Sequence, residues 1–545
     1  MFDAALFDDA LFDDALTASI ASARSHTISD LLRRSALRDP DHTAIVYQGL
    51  RQSYAELDQM VNATANALTA RGVAAGDRVA LLSHNNHAFV VCYFALARIG
   101  AVSVPINFML TSDEVGYVLR HSGSTAMIAE DALAPVADAA IAGSGLPIAV
   151  RGVISGVISG DGAAPAAGWE PVAAWMAHPD VSAPQATVGD EDLAQLIYTS
   201  GTESRPKGAM LTHRSLLAQY VTCIVDGEMT GADVEVHSLP LYHCAQLHCF
   251  LTPGIYLGAT NVVLPGADPA QILAAIETER ATKLFCPPTV WIALLRHPDF
   301  DRRDLSSLRK GYYGASIMPV EVLKEIAARL PGVRLFNFYG QTEMAPLATV
   351  LKPEDQMRKA GSAGRAALNV ETRVVDDDGR PVPPGEIGEI VHRSPHAMLG
   401  YWNDAERTAQ AFAGGWFHSG DLGVLDADGY LTVVDRKKDM IKTGGENVAS
   451  REVEEVLYAH PAVAEVAVFG LPHPRWIEAV TAAVVLRDGA AATEQDLIGH
   501  CRGRLAGFKV PKHIAFVDHL PKNASGKLLK RELRQTITPA WADER

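Results

Sequence analysis

The chain has 545 residues, of which 48% are hydrophobic and 21% charged, and it carries a formal net charge of −16. A single hydrophobic core does not support this length, so at least two domains are expected. The sequence pI of about 5.6 argues against a nucleic-acid binder. The chain shows neither the roughly eighteen-residue apolar run of a membrane span nor the basic start of a secretory signal. We therefore expect a cytoplasmic protein, with peripheral membrane contact as an open alternative.

The N-terminal residues 1–25 form an acidic, low-complexity segment in which LFDDA occurs twice, at 6–10 and at 11–15. A five-residue period builds no single apolar stripe on a helix, so we interpret the segment as a frayed tail. An acidic docking segment is the alternative interpretation.

From residue 28 onward the pattern is that of an α/β protein. Helical spacing at 56–71 is followed by an apolar strand at 78–82, and a second helix at 88–99 is followed by a strand at 101–105. Strands that alternate with helices of this length favour parallel, doubly wound sheets. The stretch 139–168 is rich in glycine and alanine, and we interpret it as a surface insertion.

The pattern changes in the last third of the chain. Short strands with frequent glycine and proline and Asp-rich turns predict a β-rich subdomain at about 345–435. After a basic run at 436–438, helix and strand patterns predict a small α+β unit. The predicted fold is α/β, with doubly wound sheets and the β-rich subdomain in a large domain over 26–435. A small C-terminal α+β domain occupies 436–545.

The strongest motif for chemistry is a loop, YTSGTESRPKG at 198–208, that follows an apolar strand. Glycine lets a backbone approach phosphate closely, hydroxyl groups donate to phosphate oxygens, and Lys207 adds positive charge. The spacing differs from that of a Walker loop. The motif predicts a phosphate-binding loop, and a polar surface turn is the alternative.

Six further motifs extend this pattern along the chain. They are GYYGAS at 311–316, NFYGQTE at 337–343, WFHSGD at 416–421, DRKK at 435–438, KTGGEN at 442–447 and PKNASGK at 521–527. Together with the phosphate loop they resemble the adenylate-forming superfamily: acyl-CoA synthetases, peptide-synthetase adenylation domains and firefly-type luciferases. The resemblance covers about 28–533 and is closest to fatty-acyl-CoA synthetases.

The resemblance implies a binding site for ATP and Mg²⁺. The implied phosphate-binding residues are Thr199, Ser200, Gly201, Thr202 and Lys207, with Thr342 on the α-phosphate. The implied nucleoside-binding residues are Gly314, Ala315, Asn337, Tyr339, Gly340, Asp421 and Arg436; Tyr339 would stack on adenine and Asp421 would accept from the ribose hydroxyls. Glu343, with Thr199, would hold Mg²⁺, a hard cation that prefers oxygen ligands.

The resemblance also implies a second half-reaction with coenzyme A and a mobile small domain. Lys527 would serve the first half-reaction as the catalytic lysine, and Lys438 would be the pivot of the domain rotation. Lys442, Gly444 and Gly445 would then form the loop beside the pantetheine arm. The implied product is an acyl-CoA, made through an acyl-adenylate. The alternatives are a fatty-acyl-AMP ligase that loads an acyl carrier protein and a luciferase-type oxidoreductase.

Cysteine and histidine residues do not predict a metal centre. The six cysteines lack any CxxC spacing, which in a large chain favours reduced thiols. The pairs at 243–244 and 248–249 are spaced by five residues, which places them about 140° apart on a helix. By resemblance, His243 instead lines the acyl end of the active site.

The stretch 239–251 indicates the substrate class. It contains no Asp or Glu for a substrate ammonium group and no Lys or Arg for a second carboxylate. An apolar monocarboxylic acid is therefore expected, either a fatty acid or a bulky aromatic or terpenoid acid. The small residues Ala245, Gly314 and Ala315 are interpreted as leaving room for the acyl group.

The phosphate loop departs from the superfamily at Glu203 and Ser204, where Thr and Gly are usual. A carboxylate about 4 Å from a phosphate charge, at an effective dielectric near 20, costs about 4 kcal/mol. Glu203 is therefore expected to point away from the triphosphate. We predict that Glu203→Thr leaves the apparent affinity for ATP equal or improved in a pyrophosphate-exchange assay. A large loss of exchange would show that Glu203 has a positive role.

Overall fold

The computed structural model describes residues 16, 19–20, 23–156, 167–199, 206–315, 318–437, 439–443, 446–473, 475–522 and 528–538. The chain divides into two compact units. The first unit contains Met1–Leu217 and Ile255–Gly258, and the second unit contains Ala218–Gly254 and Ala259–Arg545. Within the described residues, no helix is both long and apolar enough to cross a membrane.

The first unit alternates helices and strands, as the sequence predicts. Its helices are α1 Ile28–Arg38, α2 Tyr54–Ala70, α3 His87–Arg98, α4 Ser112–Ser122, α5 Ala134–Ser144 and α6 Val172–Met176. Its strands are β1 Thr43–Tyr47, β2 Leu50–Ser53, β3 Arg78–Leu82, β4 Val102–Pro105, β5 Ala126–Glu130, β6 Val150–Ile154, β7 Glu170–Pro171, β8 Leu193–Thr199 and β9 Lys207–Thr212. Helix α7 runs from His213 to Asp226.

A seven-stranded sheet with the order β7-β6-β5-β3-β4-β8-β9 forms the first unit's core. All its strand pairs are parallel except β8 with β9, which is an antiparallel hairpin. The ten residues Ala88–Ala97 of α3 are all buried, which explains the continuous apolar run in the sequence. The predicted parallel α/β architecture is confirmed.

The interpretation of 139–168 as a surface insertion is wrong for most of its described residues. Residues 139–144 complete α5, and β6 lies inside the sheet, paired with β5 from Val150 to Ile154. A Cβ atom on Gly152 would lie 2.4 Å from the ring of Trp175, so this glycine makes room for a buried tryptophan. The small side chains of this stretch allow tight packing. Amino-acid composition alone does not distinguish a tightly packed strand from a surface loop, because both are rich in small residues.

The second unit begins with a mainly parallel sheet. Its strands are β10 Val234–His237, β11 Thr260–Val263, β12 Lys283–Phe285, β13 Lys310–Gly314, β14 Arg334–Gly340, β15 Leu347–Leu351 and β16 Arg365–Ala366. The helices around them are α8 Cys244–Gln246, α9 Thr252–Leu257, α10 Pro269–Thr278, α11 Pro288–Arg296 and α12 Val320–Arg329, with a π-helical turn at Leu247–Leu251. Strands β11, β10, β12, β13 and β14 are parallel neighbours in that order.

Two smaller sheets follow in the second unit. Strands β17 Glu371–Val375, β18 Gly388–Arg393, β19 Phe417–Leu425 and β20 Leu431–Arg436 form an antiparallel sheet with helix α13 Ala405–Ala411. A five-stranded sheet contains β21 Ile441–Thr443, β22 Glu446–Val448, β23 Val463–His473, β24 Ile477–Leu486 and β25 His513–Phe516, with helices α14 Ser450–Tyr458, α15 Glu494–Arg502 and α16 Lys530–Thr536. These sheets have the predicted β-rich and α+β character, whereas the domain boundaries at 345 and 435 stay predictions.

A buried ion pair joins two neighbouring strands of the parallel sheet. Glu235 on β10 lies opposite Lys283 on β12, with Lys283 Nζ 2.7 Å from Glu235 Oε2, and both side chains are at most 1% exposed. Lys283 Nζ also lies 5.5 Å from the ring centroid of Phe250. Burial raises the pKa of Glu235 to about 7, and the ammonium of Lys283 opposes this shift. Each charge is tolerated because the other compensates it.

We predict that Lys283→Met destabilises the protein in a pH-dependent way. Without the ammonium, the folded-state pKa of Glu235 rises above its present value of about 7, well above the 4.5 of an unperturbed glutamate. The folded state then binds the proton more tightly, so the variant is most stable below about pH 4.5 and loses stability as pH rises to 8. We expect a loss of about 3–5 kcal/mol at pH 8 and a smaller loss at pH 5.5, measured by chemical unfolding.

The double variant Glu235→Leu with Lys283→Met is the matched control, because it removes both charges and should recover most of the stability. His237 Nε2 lies 4.0 Å from Glu235 Oε2, and Asp233 and Lys310 are the other charged neighbours. The double variant keeps these groups unchanged. If Lys283→Met loses the same free energy of unfolding at pH 8 and at pH 5.5, an unpaired Glu235 carboxylate is not the cause.

Candidate active site

The predicted phosphate loop lies between the antiparallel strands β8 and β9 of the first unit. Thr199 ends β8, Lys207 begins β9, and these two residues face each other in the antiparallel register. Ser200, Gly201, Thr202 and Glu203 lie outside the described residues. The hairpin thus brings the hydroxyl of Thr199 and the ammonium of Lys207 to the same end of two paired strands.

In the second unit, the predicted nucleoside-binding residues lie at the carboxyl ends of parallel strands. Gly314 ends β13, and Asn337, Tyr339 and Gly340 belong to the last four residues of β14. Ala315 follows β13 directly, with a left-handed φ of 63°. In open α/β sheets, ligands bind in the crevice outside the carboxyl ends of the strands. The topology therefore gathers these residues at one edge.

Tyr339 and Asp421 are held together by hydrogen bonds. The phenol of Tyr339 donates to Asp421 Oδ2 at 2.7 Å and accepts from Gln341 Nε2 at 2.8 Å. Burial, and next the carboxylate of Asp421, raise the pKa of Tyr339 well above its ordinary value, so the phenol remains a neutral donor. Arg436 pairs with Asp421 across β19 and β20, with Arg436 Nε 3.6 Å from Asp421 Oδ1. The Asp421 carboxylate is therefore fixed in orientation.

Asn337 also has a protein partner, since its Nδ2 donates to the carbonyl of Ser362 at 3.1 Å. This bond orients the amide and leaves its oxygen as the acceptor on the opposite side. Asn337 is partly exposed at the end of β14.

Thr342 and Glu343 lie on a short 3₁₀ turn, Thr342–Met344, directly after β14. The Thr342 hydroxyl lies 3.1 Å from Cys244 Sγ, and Tyr401 OH donates to Glu343 Oε1 at 2.9 Å. Burial raises the pKa of Cys244 to about 12, so its thiol stays protonated and can donate to Thr342. Thr342, predicted to bind the α-phosphate, and Glu343, predicted to hold Mg²⁺, are thus each oriented by the side chain of another residue.

A small cavity of about 10 Å³ lies in the second unit. It is lined by Leu239, Pro240, His243, Ala245, Gln246, Phe285 and Ala315. His243 caps α8, its Nδ1 accepting from the backbone of Ala245 at 3.2 Å. His243 and Ala315 are thereby brought together, as the sequence predicts, and the lining is apolar apart from His243 and Gln246.

The interpretation of Gly314 as space for an acyl group is wrong. A Cβ atom at Gly314 would lie 2.4 Å from the carbonyl oxygen of Phe338, and one at Gly340 would lie 1.8 Å from that of Pro346. Both glycines are required by close backbone contacts inside the protein. The small side chains that do border the cavity are Ala245 and Ala315.

The remaining predicted residues are placed as follows. Lys442 is exposed on β21, and its backbone N–H donates to Glu478 Oε2 at 2.8 Å. Lys438, Gly444, Gly445 and Lys527 lie outside the described residues. All six cysteines are buried and none forms a disulfide. His248, set aside above as a metal ligand, has its Nδ1 2.8 Å from Tyr220 OH in the buried interior.

Two family models match the chain. Residues 32–402 match the AMP-binding enzyme family, and residues 452–527 match the C-terminal domain of AMP-binding enzymes. The chain belongs to the AMP-binding enzyme family. It is an acid–thiol ligase of the acyl-CoA or aryl-CoA synthetase type, for which ATP and coenzyme A are substrates.

Named relatives span aromatic and aliphatic acids. A feruloyl-CoA synthase from Amycolatopsis sp is 40% identical over 92% of this chain and 97% of its own length. A long-chain-fatty-acid–CoA ligase from Mycobacterium tuberculosis is 36% identical over 93% of this chain and 97% of its own. The crystal structure of an anthranilate CoA ligase in complex with anthranoyl-AMP superposes with a TM-score of 0.86 at 29% identity, covering 94% of this chain and 98% of that one.

Sequence reasoning missed four residues of this AMP-binding enzyme that contact its predicted site. They are Cys244, Gln246, Phe285 and Tyr401. Phe285 and Tyr401 lie on segments that no motif covers, whereas Cys244 and Gln246 lie within the stretch 239–251, for which the sequence indicates only the character of the substrate. The one available signal was topological, because a residue at the carboxyl end of a parallel strand, such as Phe285 on β12, belongs to the ligand edge.

We predict that Cys244→Val raises the KM for ATP in pyrophosphate exchange about 2- to 10-fold, the loss expected for one hydrogen bond. Valine resembles cysteine in size but cannot donate to Thr342, whose hydroxyl is then free to rotate. Cys244→Ser keeps a donor and should remain close to the unchanged enzyme. If both variants behave alike, the thiol has no role in orienting Thr342.

Proposed function

We propose that this chain is an ATP-dependent acyl-CoA synthetase that activates an apolar monocarboxylic acid through its acyl-adenylate. The observation that carries the proposal is the composition of the small cavity at His243, Ala245 and Ala315, because its described lining contains no Asp, Glu, Lys or Arg. Such a wall offers no partner to a substrate ammonium group or to a second carboxylate, and burying either charge unpaired is costly. The apolar acyl group of the substrate is proposed to lie against these side chains, with its carboxylate facing the strand ends.

In the first half-reaction, a carboxylate oxygen of the acid attacks the α-phosphorus of ATP. The bond from that phosphorus to the bridging oxygen breaks, and pyrophosphate leaves with the electron pair. Thr342 donates to the α-phosphate, while Lys207 and Lys527 supply positive charge to the transferring group. Positioning and charge stabilisation carry most of such a phosphoryl-type substitution, with little covalent chemistry from the protein.

The residues present fit a bound Mg²⁺. Glu343 offers a carboxylate on the turn next to Thr342, and Thr199 offers a hydroxyl, both hard oxygen donors. Tyr401 donates to Oε1 of Glu343, and Oε2 is the oxygen proposed to bind the cation. When bound, Mg²⁺ neutralises phosphate charge.

The nucleoside is held by the hydrogen-bonded group around Asp421. Tyr339 presents its ring to adenine, Asn337 presents its amide oxygen to the adenine amino group, and Asp421 with Arg436 binds the ribose. Because the Asp421 carboxylate is already oriented by Tyr339, little side-chain freedom is lost when the ribose binds.

In the second half-reaction, the thiolate of coenzyme A attacks the acyl carbonyl carbon and AMP leaves. The small C-terminal domain rotates about Lys438, withdraws Lys527 and brings the loop with Lys442, Gly444 and Gly445 to the acyl-adenylate. Hinge motion of this kind lets one pocket serve two chemistries. The lack of a bulky side chain at Gly444 and Gly445 leaves a path for the pantetheine arm.

The proposal is tested by incubating the full chain with ATP, Mg²⁺ and a panel of acids, with coenzyme A or an acyl carrier protein as acceptor. We expect pyrophosphate release and a CoA thioester for apolar monocarboxylic acids, and neither for amino acids or dicarboxylic acids. A thioester formed only on the carrier protein would show that the carrier protein, and not coenzyme A, is the acceptor. Oxygen consumption with light emission would indicate a luciferase-type reaction instead.

We predict that Lys527→Ala lowers the rate of adenylation by about 10²–10³-fold, the usual effect of removing one electrostatic stabiliser. Thioester formation from supplied acyl-adenylate should be retained, because Lys527 is withdrawn in that step. Lys522→Ala is the matched control, since Lys522 lies in the same segment but pairs with Glu465 at 2.6 Å. Equal losses in both half-reactions would contradict the division of labour.

A further inference from the structure

We infer that Arg451 of α14 is a positioning residue for adenine recognition, because it fixes the backbone turn to which the amide of Asn337 is bonded. The inference rests on the proposed function, in which the Asn337 amide oxygen accepts from the adenine amino group. It adds a residue from the predicted small domain that acts on the base through the backbone at Gly361 and Ser362.

The turn at 361–364 carries the carbonyl that orients Asn337. Asn337 Nδ2 donates to Ser362 O at 3.1 Å, which directs the amide oxygen to the opposite side. Gly361 has a left-handed φ of 83°, a conformation that glycine adopts without strain. Since glycine restricts its own backbone so little, the direction of the Ser362 carbonyl depends on what holds the turn.

Contacts with two strands hold the turn on one side of Ser362. The Ser362 Oγ donates to Leu431 O at 2.6 Å, and Ala363 N donates to the same carbonyl at 2.7 Å. Thr349 Oγ1 on β15 donates to Ala363 O at 2.6 Å. These bonds fix the chain after Ser362, and none of them involves the carbonyl of Gly361.

Arg451 holds the turn on the other side. Its Nη2 donates to Gly361 O at 2.9 Å, and its Nη1 donates to Val433 O on β20. The Gly361 carbonyl shares one planar peptide unit with the Ser362 N–H, which donates to Lys359 O at 2.9 Å. This peptide is therefore held at both its oxygen and its nitrogen, which sets the direction of the next carbonyl along the chain.

The guanidinium of Arg451 is itself fixed in place. Its side chain is 12% exposed, and its Nε donates to Glu455 Oε1 at 3.2 Å one turn along α14. Ser450 N donates to Asp435 Oδ2 at 2.7 Å, which anchors the first turn of that helix. A Cβ atom at Gly361 would lie 3.2 Å from Arg451 Nη2, so the guanidinium packs directly on the turn. A planar fork that serves two carbonyls is a geometry that lysine does not reproduce.

The adenine amino group gives this arrangement a measurable consequence. Inosine triphosphate (ITP) has a carbonyl oxygen where ATP has the amino group. A fixed Asn337 oxygen accepts from the amino group but faces the ITP carbonyl with no hydrogen between the two oxygens, so ITP is disfavoured. If the turn loosens, the Asn337 amide is free to rotate and to present its Nδ2 instead. The preference for ATP over ITP therefore reports how firmly Asn337 is held.

The experiment measures kcat/KM for ATP and for ITP in pyrophosphate exchange, with the acid that gives the fastest exchange among benzoate, cinnamate, octanoate and dodecanoate. For the unchanged protein we expect ATP to exceed ITP by at least about 10-fold. Arg451→Met keeps the apolar stem but removes both donors, so this ratio should fall about 3- to 10-fold, mainly through a higher KM for ATP. Arg451→Lys keeps the charge but only part of the fork, and its ratio should lie between the two.

Glu455→Gln is the matched control, because it removes a charge beside Arg451 on the same helix and leaves both carbonyl bonds in place. It should leave the ratio unchanged. Asn337→Ala should remove the preference for ATP by itself, and the further change Arg451→Met should then lower the ratio no more, because the two residues act through one bond.

Equal losses with ATP and ITP in Arg451→Met would show that Arg451 only stabilises the protein, and this result overturns the inference. An unchanged protein that uses both nucleotides equally well also overturns it, while the proposed function stands. If Arg451→Met does not fold, the ratio for Arg451→Lys decides in the same way. If the unchanged protein shows no exchange with any of the acids, the proposed function fails and the inference fails with it.

Discussion

The parallel pairing of β10, β12, β13 and β14 in the second unit is the constraint on which the candidate site depends. Parallel strands end at one edge of a sheet, so segments separated by about a hundred residues along the chain bring His237, Phe285, Gly314 and Gly340 to a common border. The ion pair of Glu235 and Lys283 joins β10 to β12, in a sheet where most buried positions are apolar. The sheet thus supplies both the placement of the site and the rigidity of its walls.

At this edge, three of the proposed functional side chains are held by a partner from another segment. Tyr339 bonds to Asp421 from the antiparallel sheet, Glu343 accepts from Tyr401, and Thr342 lies against Cys244. Side chains that are fixed before the substrate arrives lose little entropy when it binds, and their dipoles need no reorientation during the reaction. The same principle explains why Tyr401 and Cys244 matter although they touch no proposed ligand.

The acyl cavity shows a different kind of control. In the proposed function, the site selects against charged acids through the chemistry of its lining, because apolar side chains reject charged groups through their desolvation cost. A hydrophobic pocket discriminates between apolar acids only modestly for each added methylene group.

Much of this protein is determined by local sequence. The apolar run of β3 was predicted as a strand at 78–82, as observed, and α3 begins one residue before its predicted start because Asn86 caps it. The phosphate loop was recognised because hydroxyl groups, glycine and lysine are close together in the chain. By contrast, Gly152 and Gly314 were misinterpreted, since only the surrounding backbone and rings show whether a glycine fills a tight contact or opens a space. Cys244, Phe285 and Tyr401 contact residues from distant segments of the chain, so the tertiary structure alone decided their places. Periodicity and motifs report short-range order, whereas these contacts are made by long-range packing.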